Sequence, residues 1–163
     1  MFSTLRSLPL ALLLTLAACG GADPAAQVNE SYTSLNSRDY SAAEAGFAEA
    51  LPQLTPGTSD HQRAQLGLLR ARSFSDAGGA KADFLAYAKA NDLEDRDYTV
   101  FITDLVSGGN LEEAIAVVGE MKAAFPENPK VDEMGNALVD MAKSAGNSSA
   151  LDALSGLGYV GND

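Results

Sequence analysis

From Val28 onward, apolar side chains recur at three- and four-residue spacing, the interval that returns one face of an α-helix to the same side. Runs of β-branched residues are nearly absent, so little argues for strands. Start and stop signals cut this pattern into segments. Ser41-Ala-Ala-Glu44, Ser59-Asp-His-Gln62 and Asn110-Leu-Glu-Glu113 read as capping boxes, in which the first side chain accepts a free N–H of the first turn. Gly78-Gly79 and Gly108-Gly109 supply left-handed residues for closing helices, and Pro56, Pro126 and Pro129 end them. The spacing predicts helices over 26–37, 41–54, 59–77, 79–91, 96–107, 110–125, 130–145 and 148–157. With such short links, this is an all-α chain of four antiparallel hairpins. The 28 alanines, about one residue in six, fit the reading: Ala favours helix and lets helices approach closely.

The hairpins share a register. Ala43, Phe47 and Ala50 in the first match Ala80, Phe84 and Tyr87 in the second, and Ala114, Val118 and Met121 in the third. The small residue recurs after 37 and then 34 positions, a period that predicts stacked helical repeats. On these residues the chain resembles tetratricopeptide repeat proteins. Asn110-Leu-Glu-Glu-Ala114 through Ala124-Phe125-Pro126-Glu-Asn-Pro129 carries the best match, and Asp39-Tyr40-Ser-Ala-Ala43 through Ala50-Leu51 the next. The second hairpin departs, with Tyr87 where a small residue is expected and no closing Pro, and the first helices match poorly.

The resemblance spans roughly residues 26–145. It implies a helical-hairpin solenoid over 27–157, a tail at 158–163, and a concave groove lined by the first helix of each hairpin. Transferring the groove positions gives Val28, Tyr32 and Leu35, then Gln62, Gln65, Leu69 and Arg72, then Arg96, Thr99, Thr103 and Val106. Tyr32, Gln65, Arg72, Arg96 and Thr103 are the main candidates. Arg72 and Arg96 suit a carboxylate or a peptide terminus, and Tyr32 offers an aromatic platform with a polar tip. The implied partner is a protein or peptide. The alternative is an all-α bundle with Ala-rich seams and an enclosed pocket for a small molecule or cell-wall fragment.

The front of the chain reads as a processing signal. Arg6 supplies a positive start, and Leu8 to Ala17 is apolar apart from Pro9 and Thr15. The stretch is shorter than the roughly 20 apolar residues of a membrane-spanning helix. It ends in Leu16-Ala17-Ala18-Cys19, which resembles the lipobox of bacterial lipoproteins. That resemblance implies a diacylglycerol on the Cys19 thiol, cleavage after residue 18, and an acyl chain on the new amine. Residues 19–26 would then be a lipidated tether. Each buried CH₂ of the chains contributes about 0.8 kcal/mol to anchoring. Gly20, standing where some Gram-negative lipoproteins carry a retention Asp, points to the outer membrane, facing the periplasm.

Charge and chemistry narrow the function. Asp and Glu number 22 against 11 Lys and Arg, giving a net charge of −11, and loss of Arg6 with the signal makes it −12. Such a chain does not suit nucleic acid, whose phosphates need a basic face. One Cys excludes an internal disulfide framework and a multi-Cys zinc site. The acidic run at 91–97 fails the calcium-loop pattern, because Arg96 and Asp97 fill the fifth and sixth positions counted from Asp92. It reads better as acidic helix capping. His61 beside Ser59 and Asp60 is a helix-start residue; neighbours in sequence do not form a triad. No phosphate loop, zinc-binding His pair or nucleophile elbow is present. The expectation is therefore a protein that is not an enzyme, has no metal, and has no cofactor beyond its acyl chains. The apolar end, Leu151 to Gly161, reads as a cap on the array or as a docking tail. On this register, Arg72→Glu and Arg96→Glu are expected to weaken an acidic peptide ligand in a pull-down while sparing the melting temperature.

Overall fold

The computed structural model describes residues 23–160. Leu16, Ala17, Ala18 and Cys19 lie outside the described residues, as do positions 161–163 of the expected tail. Within them the chain is all-α: α1 (Pro24–Asn36), α2 (Tyr40–Ala50) with a single 3₁₀ turn at Leu51–Gln53, α3 (Ser59–Arg72), α4 (Ala77–Ala90), α5 (Asp95–Ser107), α6 (Leu111–Ala124), α7 (Pro129–Ala145) and α8 (Ser148–Gly156). Every helix expected from the periodicity is present, and no strand occurs among the described residues.

The helix ends depart from expectation for local reasons. Asp39 caps α2 by accepting the Ala42 N–H, and Thr58 caps α3 by accepting that of His61, so the boxes expected at Ser41 and Ser59 do not form. Asn110 heads α6, but its side-chain amide donates to the Ser73 carbonyl of the previous hairpin (3.2 Å) rather than serving its own helix. The capping box that does form lies in the acidic run: the Asp97 carboxylate accepts the Glu94 N–H at 3.1 Å. Helix α3 stops at Arg72, short of the expected 77, because Asp76 starts the next helix by accepting the Gly79 N–H (3.0 Å). Gly78-Gly79 thus sit in the first turn of α4 instead of closing α3.

Three of the four hairpin turns share one device. Arg38 (φ 66°), Gly109 (φ 80°) and Gly146 (φ 63°) are left-handed, and each immediately precedes a cap residue. The N–H groups of those caps, Asp39, Asn110 and Asn147, return to carbonyls five residues back, each at 2.9 Å. This closes one helix while aiming the chain into the next.

Packing follows chain order. The members of each pair α1–α2, α3–α4, α5–α6 and α7–α8 pack together. Across pairs, α1 meets α3 and α3 meets α5, while α4 meets α6 and α6 meets α8. The second helix of a pair also packs on the next first helix at α2–α3 and α6–α7, so the hairpin packing is consistent with an α-solenoid. Ala43, Ala80 and Ala114 are all fully buried, as are Phe47, Phe84 and Val118 one turn on. The register extends to a fourth hairpin, with Ala150 and Leu154 also fully buried. Side chains bond between hairpins at the same interval: Arg63 to Asn29 and Arg70 to Asp104 (34 residues apart), Asn128 to Asp95 (33), and Asn147 to Glu112 (35).

The core divides at α3. Ala64 and Ala71 face the first hairpin, whereas Leu69 joins the larger cluster that runs to α8. Between Ala64 and Ala71, Gly67 receives the Phe47 ring, which occupies the place of a Cβ. At the far end, Lys122 Nζ donates to the Leu157 carbonyl (2.8 Å) and lies 4.4 Å from the centre of the Tyr159 ring, which packs on Gly135. Leu157 and Tyr159 thus lie back against α6 and α7.

Two glycines test this packing. Gly67→Ala forces a methyl into the buried Phe47 ring and is expected to cost about 1–3 kcal/mol, the usual range for overpacking. Gly78→Ala, at an open position in the first turn of α4, is expected to stabilise by about 0.4–1 kcal/mol. Urea denaturation of the two variants should shift the midpoint in opposite directions.

Candidate functional site

The first helices frame a cavity of about 480 Å³ between α1, α3, α4 and the start of α5. Its apolar lining is Leu66, Val100 and the Phe84–Phe101 stack, whose ring centres lie 4.2 Å apart. Tyr32 stands at one wall. Its hydroxyl donates to the Arg63 carbonyl (2.8 Å), and its ring meets Phe47 edge-on at 4.9 Å. Burial pushes the Tyr32 phenol up from its ordinary range, although Arg70 and Arg63 pull the other way.

Three arginines line the cavity, and they are not equivalent. Arg63 lies 5.5 Å from the centre of the Tyr32 ring, donates to Asn29 Oδ1 (2.9 Å) and pairs with Asp60 (3.3 Å). Arg70 donates through Nε to Asp104 Oδ2 at 2.6 Å. Burial raises the Asp104 carboxyl above its usual range, and the Arg70 guanidinium only partly opposes this. Arg96 is exposed at the start of α5 and has no side-chain hydrogen bond or ion pair within the described residues. Glu94 and Asp97 line the same end, so the positive charge there is local.

A second, more polar cavity of about 310 Å³ shares Arg70 with the first and adds Asp104. It is also lined by Arg38, Tyr40 and Phe74, the last two stacked at 3.6 Å. Of the five arginines within the described residues, Arg38, Arg63, Arg70 and Arg96 line these two cavities, and none of the lysines does. On a chain of charge −11 this gathers four arginines on one face, beside Glu94, Asp97 and Asp104. Arginine is also the cation whose planar fork matches a carboxylate.

The expected groove residues separate. Tyr32, Gln62 and Arg96 meet in the larger cavity. Gln65, Arg72 and Thr103 lie outside it. Val28, Leu35 and Leu69 are buried core residues, although Leu35 also touches the smaller cavity. The open face of α3 is turned by one residue from the expected one, presenting Leu66 and Arg70 in place of Gln65 and Leu69. Likewise α5 presents Asp97, Val100 and Phe101, not Thr99 and Thr103. The cause is that α3 buries two sides, with Ala64, Gly67 and Ala71 on one and Leu69 on the other. Arg63 and Arg70 were not among the expected groove residues. The signal for Arg70 was available: it stands 34 residues before Asp104, the offset that separates Ala80 from Ala114.

Arg72 has a different task. Its Nη1 meets Asp83 at 2.6 Å and its Nη2 meets Asp76 at 2.8 Å, tying the end of α3 to α4. The Gly79 N–H, and then Arg72, hold the Asp76 carboxyl below its ordinary range. Among the described residues no cluster of three His, Cys, Asp or Glu side chains is placed to hold a metal. Among them, too, no helix is long and apolar enough to cross a membrane.

No protein-family model, curated protein or solved structure matches this chain.

Arg72→Glu places a third carboxylate against Asp76 and Asp83, so, unlike the expectation from the register, a loss of a few degrees in melting temperature is expected near neutral pH. Arg96→Glu is expected to change it little. A depressed carboxyl contributes stability above its unfolded-state pKa and loses it as pH falls through the folded value. The gap between wild type and Arg72→Glu should therefore close on acidification, as scanning calorimetry across that range would show.

Proposed function

We propose that this chain is a lipid-anchored accessory or scaffold protein of the bacterial envelope that holds a segment of another protein against its first helices. The observation that carries this reading is the arginine-lined, apolar-floored trough across α1, α3 and α5 on an otherwise acidic body. Preformed helical surfaces of this kind bind peptides without first ordering themselves, which lowers the entropic cost of association. The tetratricopeptide-like register of the second helices supports the same reading, and so does the lipobox-like Leu16-Ala17-Ala18-Cys19. An anchor at Cys19 would confine the protein near membrane-bound partners and raise their effective concentration. Envelope assembly, secretion and cell-wall machinery are settings that require such adaptors.

The cavity volume of about 480 Å³ also falls within the range of small-ligand pockets, which keeps a small-molecule or cell-wall-binding protein as the second reading. Crosslinking and affinity capture from native membranes distinguishes the two. The scaffold reading expects an envelope protein whose recovery drops at least five-fold when Arg63 and Arg96 are both changed to Glu. Recovery of no protein favours the small ligand.

The anchor is tested separately. Cys19→Ser is expected to abolish incorporation of labelled palmitate and to release the protein from the membrane fraction. Persistent membrane association of this variant would contradict the anchor.

A further inference from the structure

The arginines of the trough differ in what they have left to give. Arg63 is shared between Asp60 and Asn29, and Arg70 is neutralised by Asp104 at 2.6 Å. The Tyr32 hydroxyl already spends its proton on the Arg63 carbonyl. Arg96 keeps an unengaged guanidinium among the described residues and lines the same cavity as Val100 and Leu66. Glu94 and Asp97 flank it and would repel further negative charge. The body as a whole, at −11, repels polyanions at long range.

Resting on the trough reading above, we infer that the larger cavity selects a peptide segment with one carboxylate beside one large apolar side chain, in an otherwise neutral or basic context. The apolar side chain seats against Leu66, Val100 and the Phe84–Phe101 stack, and the carboxylate takes the fork of Arg96. Basic flanking residues meet Glu94 and Asp97. The cavity supplies one unspent cation, so added acidic groups find no partner and meet two carboxylates instead. This separates the site from one that binds phosphorylated or polyacidic segments, which would need several free cations.

The test uses a fluorescein-labelled decapeptide with a central Phe-Glu among Gly, Ser and two Lys residues, titrated with the full chain by fluorescence anisotropy. Replacing the Glu by Gln, or the Phe by Ala, is expected to weaken binding at least ten-fold. Extending Phe-Glu to Phe-Glu-Glu-Glu is expected to weaken it further or leave it unchanged. Arg96→Gln should lose about as much as the peptide Gln does, with unchanged melting temperature. Arg96→Glu should gain affinity for a Phe-Lys peptide, an effect that a merely structural role would not produce. Equal binding of the Phe-Glu and Phe-Gln peptides overturns the inference, as does tighter binding of the polyacidic peptide or no binding of any peptide up to millimolar concentration. If membrane capture still recovers a partner through Arg63 and Arg96 after such a result, the scaffold reading survives and only the ligand chemistry falls. If capture also recovers none, both fall.

Discussion

The architecture depends on keeping one position small. At the first buried turn of each second helix stands an alanine, Ala43, Ala80, Ala114 or Ala150, and each is fully buried. A larger side chain there would push the two helices of a hairpin apart, and close-packed interiors do not absorb such a change without strain. One turn later comes the bulky partner: Phe47, Phe84, Val118 or Leu154. Small then bulky, repeated four times, gives each hairpin a similar seam, although the way successive hairpins meet varies along the chain. Gly67 extends the principle to α3, where the Phe47 ring leaves no room for a Cβ.

With seams of one kind, some side chains of successive hairpins meet at the repeat interval. The polar bonds at intervals of 33 to 35 residues are the consequence, and they hold first helix to first helix and cap to second helix. Each hairpin thus touches chiefly its immediate neighbours, the condition for a quasi-one-dimensional stack. The trough arises from the same geometry. Neighbouring first helices leave a furrow between them, and the Arg70–Asp104 bond crosses it, with Arg70 lining both cavities. The net charge describes the outer faces and says little about this furrow, where four arginines collect.

Periodicity was enough to read the number and order of the helices, because each buried face repeats at the helical interval over three or more turns. The seam was legible too, since alanine and phenylalanine differ sharply in volume and recur at a fixed offset. Helix ends were less legible. Asp39, Thr58 and Asp76 compete with neighbouring Ser and Gly residues for the capping role, and the winner is set by where the left-handed turn residue falls. Arg38, in a left-handed conformation that glycine usually takes, had no composition signal at all. The trough suffered most. A helix such as α3 buries residues on two sides, so apolar spacing alone leaves the open face uncertain by one residue. That single step exchanges Gln65 and Leu69 for Leu66 and Arg70, while Arg72 is drawn to Asp76 and Asp83, outside the larger cavity.

The side-by-side order of the first helices is the claim on which both the fold and the trough rest. The lone Cys makes it directly measurable, since Cys19→Ser leaves a background without thiols. In that background, paired cysteines at Asn29 and Arg63, and separately at Arg70 and Asp104, can be treated with a short bismaleimide and the products mapped by mass spectrometry. Both pairs should bridge within one chain at high yield, while a pair at Arg70 and Glu120, on different layers of the stack, should not. Efficient bridging of Arg70 to Glu120, with failure of the other two pairs, would contradict the stacked arrangement.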